Sequence, residues 1–196
     1  MRKLNPKYVQ LVADAVIPLA GILFWDWGLY FILLFYFLDM IASEVITHLK
    51  SKKTIEFSGI GQKPRISYGF QSAIFLSITL LAIHAAMYFI DPTINFKTEI
   101  FAFWTYEELG IQQGYVLTPL VAFGAYQQYK MSFFMMGQFQ KVTQNEIWNP
   151  HIKAYLVIIG AAGIATGLAQ VVDIPEMVYV LLIVVASTTY QLLFNK

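Results

Sequence analysis

Trp27-Gly28-Leu29-Tyr30-Phe31-Ile32-Leu33-Leu34-Phe35-Tyr36-Phe37-Leu38-Asp39-Met40-Ile41-Ala42-Ser43-Glu44-Val45-Ile46-Thr47-His48 decides the class of this protein. The first twelve residues carry no charge. The stretch is as long as a helix that crosses a bilayer, about 20 residues. It alternates with no period of two and has no turn residue after Gly28, so it reads as a helix and not a strand.

The pattern recurs along the chain. We read spans at 8–25, 27–48, 68–90, 115–138, 152–172 and 177–194. Composition agrees. Of 196 residues, 58% are hydrophobic and 13% are charged. The mean hydropathy is +0.58. A soluble domain carries about 25% charged residues, so this chain has too few to cover a water-facing surface. The expected fold is all-α: one domain over residues 1–196, with six transmembrane helices in a compact bundle. No soluble domain fits beside them. The start, Met1-Arg2-Lys3 and an apolar stretch, has the outline of a signal peptide. Asp14, Pro18 and the ending Trp25-Asp26-Trp27 do not fit one, and we read it as the first span.

Positive charge sets the expected orientation. With the N-terminus in the cytoplasm, 12 of the 13 Lys and Arg residues fall on inner segments, leaving only Lys97 outside. Positively charged loops resist translocation. Both termini are therefore expected in the cytoplasm. The segment from Lys50 to Ser67 reads as a basic inner loop at anionic lipid. The outer segment contains Ile100 to Tyr106, whose aromatic content suggests a short helix in the headgroup layer.

Ionisable residues at membrane depth are costly and should face the bundle interior with a partner. Asp14 and Asp39 lie about 9 and 12 Å from the inner boundary on adjacent spans. Such a pair could share a proton or a cation, or only fix packing. Glu44 and His48 are spaced i, i+4 near the inner boundary. They read as a pair in contact with water or as a proton inlet toward Asp39. Lys130 is the expected counter-charge for Asp14, Asp39 or Glu44, or it snorkels to the headgroups. His84, in the outer third of the third span, is expected to hydrogen-bond across helices. The histidines His48, His84 and His151 read as lying at different depths, so no metal site is expected. In the fifth span, Gly160, Gly163 and Gly167 are helix-packing candidates, the last two at G-x-x-x-G spacing. Thr118-Pro119 predicts a kink.

Enzyme motifs fall short. Glu107-Glu108 resembles the start of the signature of CAAX-type intramembrane proteases, but Gln112 stands at the arginine position. Gly160-Ala-Ala-Gly163 is similar to the rhomboid G-x-S-G, with Ala162 in place of the nucleophile. With no cysteine in the chain, thiol chemistry is absent. No enzymatic activity, cofactor or nucleic-acid partner is expected.

One resemblance adds to this. Pro18-Leu-Ala-Gly21-Ile-Leu-Phe-Trp25-Asp-Trp27 and Leu29 to Asp39 resemble the opening of an uncharacterised family of bacterial multi-pass membrane proteins, a domain of unknown function. That family's second helix typically reads L-L-Y-W-x-E; here the last four are Tyr36-Phe37-Leu38-Asp39. The similarity covers residues 11–50. It implies a bacterial inner-membrane location and an acid in the second helix, and no activity. The expected function is a structural or accessory subunit of a membrane complex, with other subunits, self-association and the bilayer as partners. The alternative is a small proton- or ion-coupled transporter or channel using Asp14, Asp39 and Lys130.

Overall fold

The structure is a computed structural model. It describes residues 6–59, 63–108, 111–172 and 174–194, without the side chains at 6–11, 14, 63–67, 108, 111 and 189–194. Among them are seven α-helices: α1 (Pro6–Phe24), α2 (Leu29–Ser58), α3 (Lys63–Ile90), α4 (Phe96–Thr105), α5 (Gln113–Gln128), α6 (Gln144–Ala169) and α7 (Glu176–Phe194). A two-residue hairpin, β1 (Glu107–Glu108) with β2 (Ile111–Gln112), joins α4 to α5.

Helix α2 is the axle. It packs against α3, α4, α5, α6 and α7, while α1 leans mainly on α7 and α3 mainly on α6. Its first half is aromatic and aliphatic. Trp27, Leu29, Tyr30, Phe31, Ile32 and Phe35 are buried against Ile83 and Met87 of α3, Phe103 of α4, Leu117 and Val121 of α5, and Tyr179, Val180 and Val184 of α7. That cluster is the hydrophobic core. Its polar groups are paired locally. Tyr30 donates from its hydroxyl to Nε2 of His84 (3.0 Å), and His84 donates from Nδ1 to Leu80 O (2.8 Å). These two bonds fix His84 as the Nδ1–H tautomer, with Nε2 accepting.

The turn between α1 and α2 is held from several sides. Asp26 takes φ +49°, a left-handed conformation that Asp tolerates better than most residues. The amides of Trp25 and Trp27 both donate to Gly21 O, at 3.0 and 3.1 Å. Tyr106 donates to Trp25 O (2.9 Å), and the Trp27 indole donates to Gln113. The amide of Leu29 donates to a carboxylate oxygen of Glu176 in the first turn of α7 (3.3 Å), so α7 caps the start of α2.

Three helices are long and apolar enough to cross a membrane: Leu29–Ser58, Tyr68–Ile90 and Gln144–Ala169. Ala15–Phe24 and Glu176–Thr188 are shorter apolar helices. The structure redraws four boundaries of the sequence reading. Helix α2 spans 30 residues, about 45 Å, and carries Lys50, Lys52 and Lys53 as helix, not loop. It ends at Gly59, whose φ of +71° suits a residue without Cβ and whose amide donates to Ile55 O. The expected fourth span is not one continuous α-helix. Helix α5 passes through Pro119 and ends at Gln128, and a π-helical turn follows over Tyr129–Phe134. The aromatic segment expected to form a short helix does so as α4, starting four residues earlier at Phe96. Helix α6 begins eight residues before the expected fifth span, at a capping box: Glu146 N donates to Thr143 Oγ1 and Thr143 N to Glu146 Oε2.

Candidate functional site

The second half of α2 changes character. Glu44, Thr47, Ser51 and Thr54 are all buried. With His48 they recur at three- and four-residue intervals, so they form one polar stripe along the helix. Helix α6 answers with Gln144, Trp148, His151 and Tyr155, also spaced by four, three and four. The two helices run antiparallel here: Glu44 meets Tyr155 and His151, Thr47 meets His151, and Ser51 meets Gln144 and Trp148. From α3, Ser72 and the rings of Tyr68 and Phe75 close the third side. Tyr68 stacks on Trp148 (centroids 4.5 Å apart, planes 12°), and Phe75 stacks on Tyr155 (5.2 Å, 15°).

Glu44 is the centre of this seam, with 5% of its surface exposed. Its Oε2 accepts from the Tyr155 hydroxyl and from His151 Nε2, both at 2.5 Å. Oε1 accepts no hydrogen bond among the described residues; His48 Nε2 lies 3.3 Å away. That same nitrogen is 2.9 Å from Ser72 Oγ. Ser72 gives its own proton to Tyr68 O (2.8 Å), so His48 Nε2 must be the donor to Ser72. Thr47 likewise gives its proton to Ser43 O (2.9 Å), and His151 Nδ1 lies 3.5 Å from Thr47 Oγ1. A carboxylate removed from water and met on one oxygen by a phenol and an imidazole N–H has its desolvation offset by charge-assisted bonds. At the far end of the seam, Ser51 donates to Gln144 Oε1 (2.5 Å) and Gln144 Nε2 donates back to Ser51 O (3.0 Å).

The structure brings together some of the residues singled out in the sequence and separates others. Glu44 and His48 are in contact, but Glu44 is enclosed by protein and does not lie against water. His48 and His151 sit at one level on the same carboxylate, a correction to the reading that placed all three histidines at different depths. The reason is the capping box at Thr143, which puts His151 two turns inside α6. His84 belongs to the separate Tyr30 pair. Asp39 is half-buried and engaged. The side chain of Asp14 lies outside the described residues. Lys130 is exposed in the π-helical turn and makes no ion pair among the described residues, so it is not the counter-charge of Glu44. Gly160, Gly163 and Gly167 lie open: a Cβ built on any of them meets nothing within 4 Å.

Sequence reasoning missed His151, Tyr155, Trp148, Ser72, Ser51 and Gln144 as partners of Glu44 and its stripe. A usable signal was present: polar groups at heptad-like intervals on two long helices. Beside the seam is a small cavity of about 50 Å³, lined by Met40, Ser43, His151, Ala154, Tyr155 and Ile158. This is room for a water molecule or two. Among the described residues no set of His, Asp or Glu is arranged to hold a metal ion. No protein-family model, curated protein or solved structure matches the chain.

Proposed function

We propose that this protein is a structural or accessory subunit of a membrane complex, embedded through six spans with both termini in the cytoplasm of a bacterial cell and the bilayer as its solvent. The observation that carries the reading is the open glycine face of α6. A Cβ built on Gly160, Gly163 or Gly167 meets nothing within 4 Å among the described residues. Leu156 and Ile164, on the same helix, are 58% and 68% exposed. Small residues let two helix backbones approach closely in lipid, where burial of apolar surface gives no drive of its own. The polar groups support the same role. Glu44 is bonded to His151 and Tyr155 of α6, and His48 to Ser72 of α3, which ties α2, α3 and α6 into a stiff frame for a partner helix. The lopsided sidedness of lysine and arginine supports the six spans and the orientation.

Gentle purification from native membranes is the test. The wild-type chain is expected to carry at least one other membrane subunit. Gly163→Leu is expected to lower its yield tenfold or more while leaving the helical content unchanged. A wild-type chain that elutes as a lone monomer overturns the reading.

A second reading is proton- or ion-coupled translocation through Asp14, Asp39 and Lys130. It is favoured by the small cavity, whose wall includes Met40, the residue after Asp39. In liposomes, Asp39→Asn is then expected to abolish flux. Wild-type liposomes that conduct nothing, or flux unchanged in the variant, remove this alternative.

A further inference from the structure

Helix α2 presents a second face, turned away from the polar seam. Leu38, Ile41, Val45 and Leu49 lie along it, and Val121 and Tyr126 of α5 form the opposite wall. Between them runs a groove of about 240 Å³. Ile41 and Val45 are 39% and 53% exposed, so none of the described residues fills it. It is also chemically plain. Thr118, one of its few polar members, spends its hydroxyl on Gly114 O (2.8 Å). From Leu38 to Leu49 the groove is about 16 Å long. That is close to half of a ~30 Å hydrocarbon core, the depth of one leaflet.

At the Gly59 end the chemistry changes within one turn. Lys52 and Lys53 stand seven residues after Val45 and Ile46, two turns further on the same face. Lys53 Nζ lies 5.5 and 5.6 Å over the rings of Phe134 and Phe139 and 3.7 Å from Glu56. Lys50 Nζ lies 5.7 Å over Phe133, with no carboxylate partner among the described residues. The π-helical turn supplies Phe133 and Phe134 beneath these lysines, and it carries the exposed Lys130. Among the described residues, Lys50, Lys52, Lys53 and Lys130 thus share this end with one glutamate, Glu56. Glu146, at the start of α6, is spent on its capping box with Thr143. A half-buried ammonium held only by a ring face gains from an anion.

We propose that this groove binds one acyl chain of an anionic glycerophospholipid, with the phosphate held among Lys50, Lys52 and Lys53. The proposal rests on the reading of the chain as membrane-embedded. A small soluble anion would use the lysines and leave the groove empty. A zwitterionic lipid would fill the groove and offer the same phosphate, but its ammonium would be brought up to the lysines and offset the gain. An apolar tail one leaflet long with a negative head satisfies both.

The test is native mass spectrometry of the full chain, delipidated in detergent and re-supplied with phosphatidylglycerol or phosphatidylcholine of matched acyl chains. Phosphatidylglycerol is expected to be retained at least tenfold better. The triple variant Lys50→Gln, Lys52→Gln, Lys53→Gln is expected to bring the two lipids to the same low level. Val45→Trp, which fills the groove, is expected to reduce retention of both lipids. Ala122→Leu on the facing wall repeats that test if Val45→Trp does not fold. Equal retention by the wild type, or unchanged retention by the triple variant, overturns the proposal. A carbonate wash separates the two levels of argument. Release of the chain from washed membranes defeats the membrane reading itself. A chain that stays embedded and shows no lipid preference defeats only the groove.

Discussion

Glu44→Ala is expected to loosen the bundle by about 1–5 kcal/mol. The carboxylate is the shared acceptor of Tyr155 and His151, both from α6, a helix that otherwise meets α2 through small hydroxyls and an amide. At ~0.6 kcal/mol per bond, as cross-helix hydrogen bonds in membranes average, two lost bonds give the lower figure. The upper figure applies where one partner of a buried charged pair is removed and the other stays behind. Burial decides between them: Glu44 is 5% exposed, and His151 is enclosed by the same helices. The His151 imidazole cannot simply turn to water, whereas His48, with 37% of its side chain exposed, can; the enclosed pair places the cost toward the upper end. Glu44→Gln keeps one oxygen acceptor in place and should cost less than half as much. Thermal unfolding in one detergent, followed by helical circular dichroism, measures both. Equal midpoints for wild type and Glu44→Ala would show that the seam contributes nothing to stability.

Gly114→Ala should be damaging for a different reason. A Cβ at this buried position would lie 2.2 Å from Phe103 O and 3.0 Å from Trp104 Cα. Both are backbone atoms of α4 that cannot rotate aside. Overpacking typically costs 1–3 kcal/mol, but that figure assumes neighbours that can yield. Here α4 must move as a body. This strips Phe103 from the core and breaks the contact between Trp104 and Tyr115, whose rings are 5.7 Å apart. The expected result is a loss of about 3 kcal/mol or more, with new protease cleavage between Asp91 and Gln112. Wild-type resistance to cleavage would mean that α4 is not seated on α5 as described. By contrast, alanine at Gly160 should be nearly silent within the monomer, since that position faces open space.

The sequence and the structure agree where solvent preference alone decides. Leu29 to Phe37 could only be helix in an apolar setting, and it forms the core half of α2. Hydropathy fails where it stops describing the backbone. Lys50 to Ser58 is polar, yet Lys, Glu and Ser do not break a helix, and Gly59 supplies the stop. The reading ended α2 where the apolar residues ended, and so took nine residues of helix for loop. The start of α6 was lost the same way, although Thr143-Gln-Asn-Glu146 is a legible capping box. That error displaced His151 and hid the candidate site. Other features were not legible. Which helix lies opposite Glu44 is a tertiary fact that one chain's periodicity does not state. The π-helical turn at Tyr129 leaves no mark in residue type, and it is where Lys130 stands exposed and not beside Glu44.

The cap on α2 also bears on the order of assembly. The amide of Leu29 is served by Glu176, a residue made 147 positions later. Tyr179, Val180 and Val184, which complete the aromatic core around Phe31 and Phe35, arrive later still. The ribosome therefore delivers the axle well before its keystone. Until α7 joins, the mouth of α2 keeps an unanswered donor and an unfilled flank, so the nascent chain cannot close this core before α7 has been made.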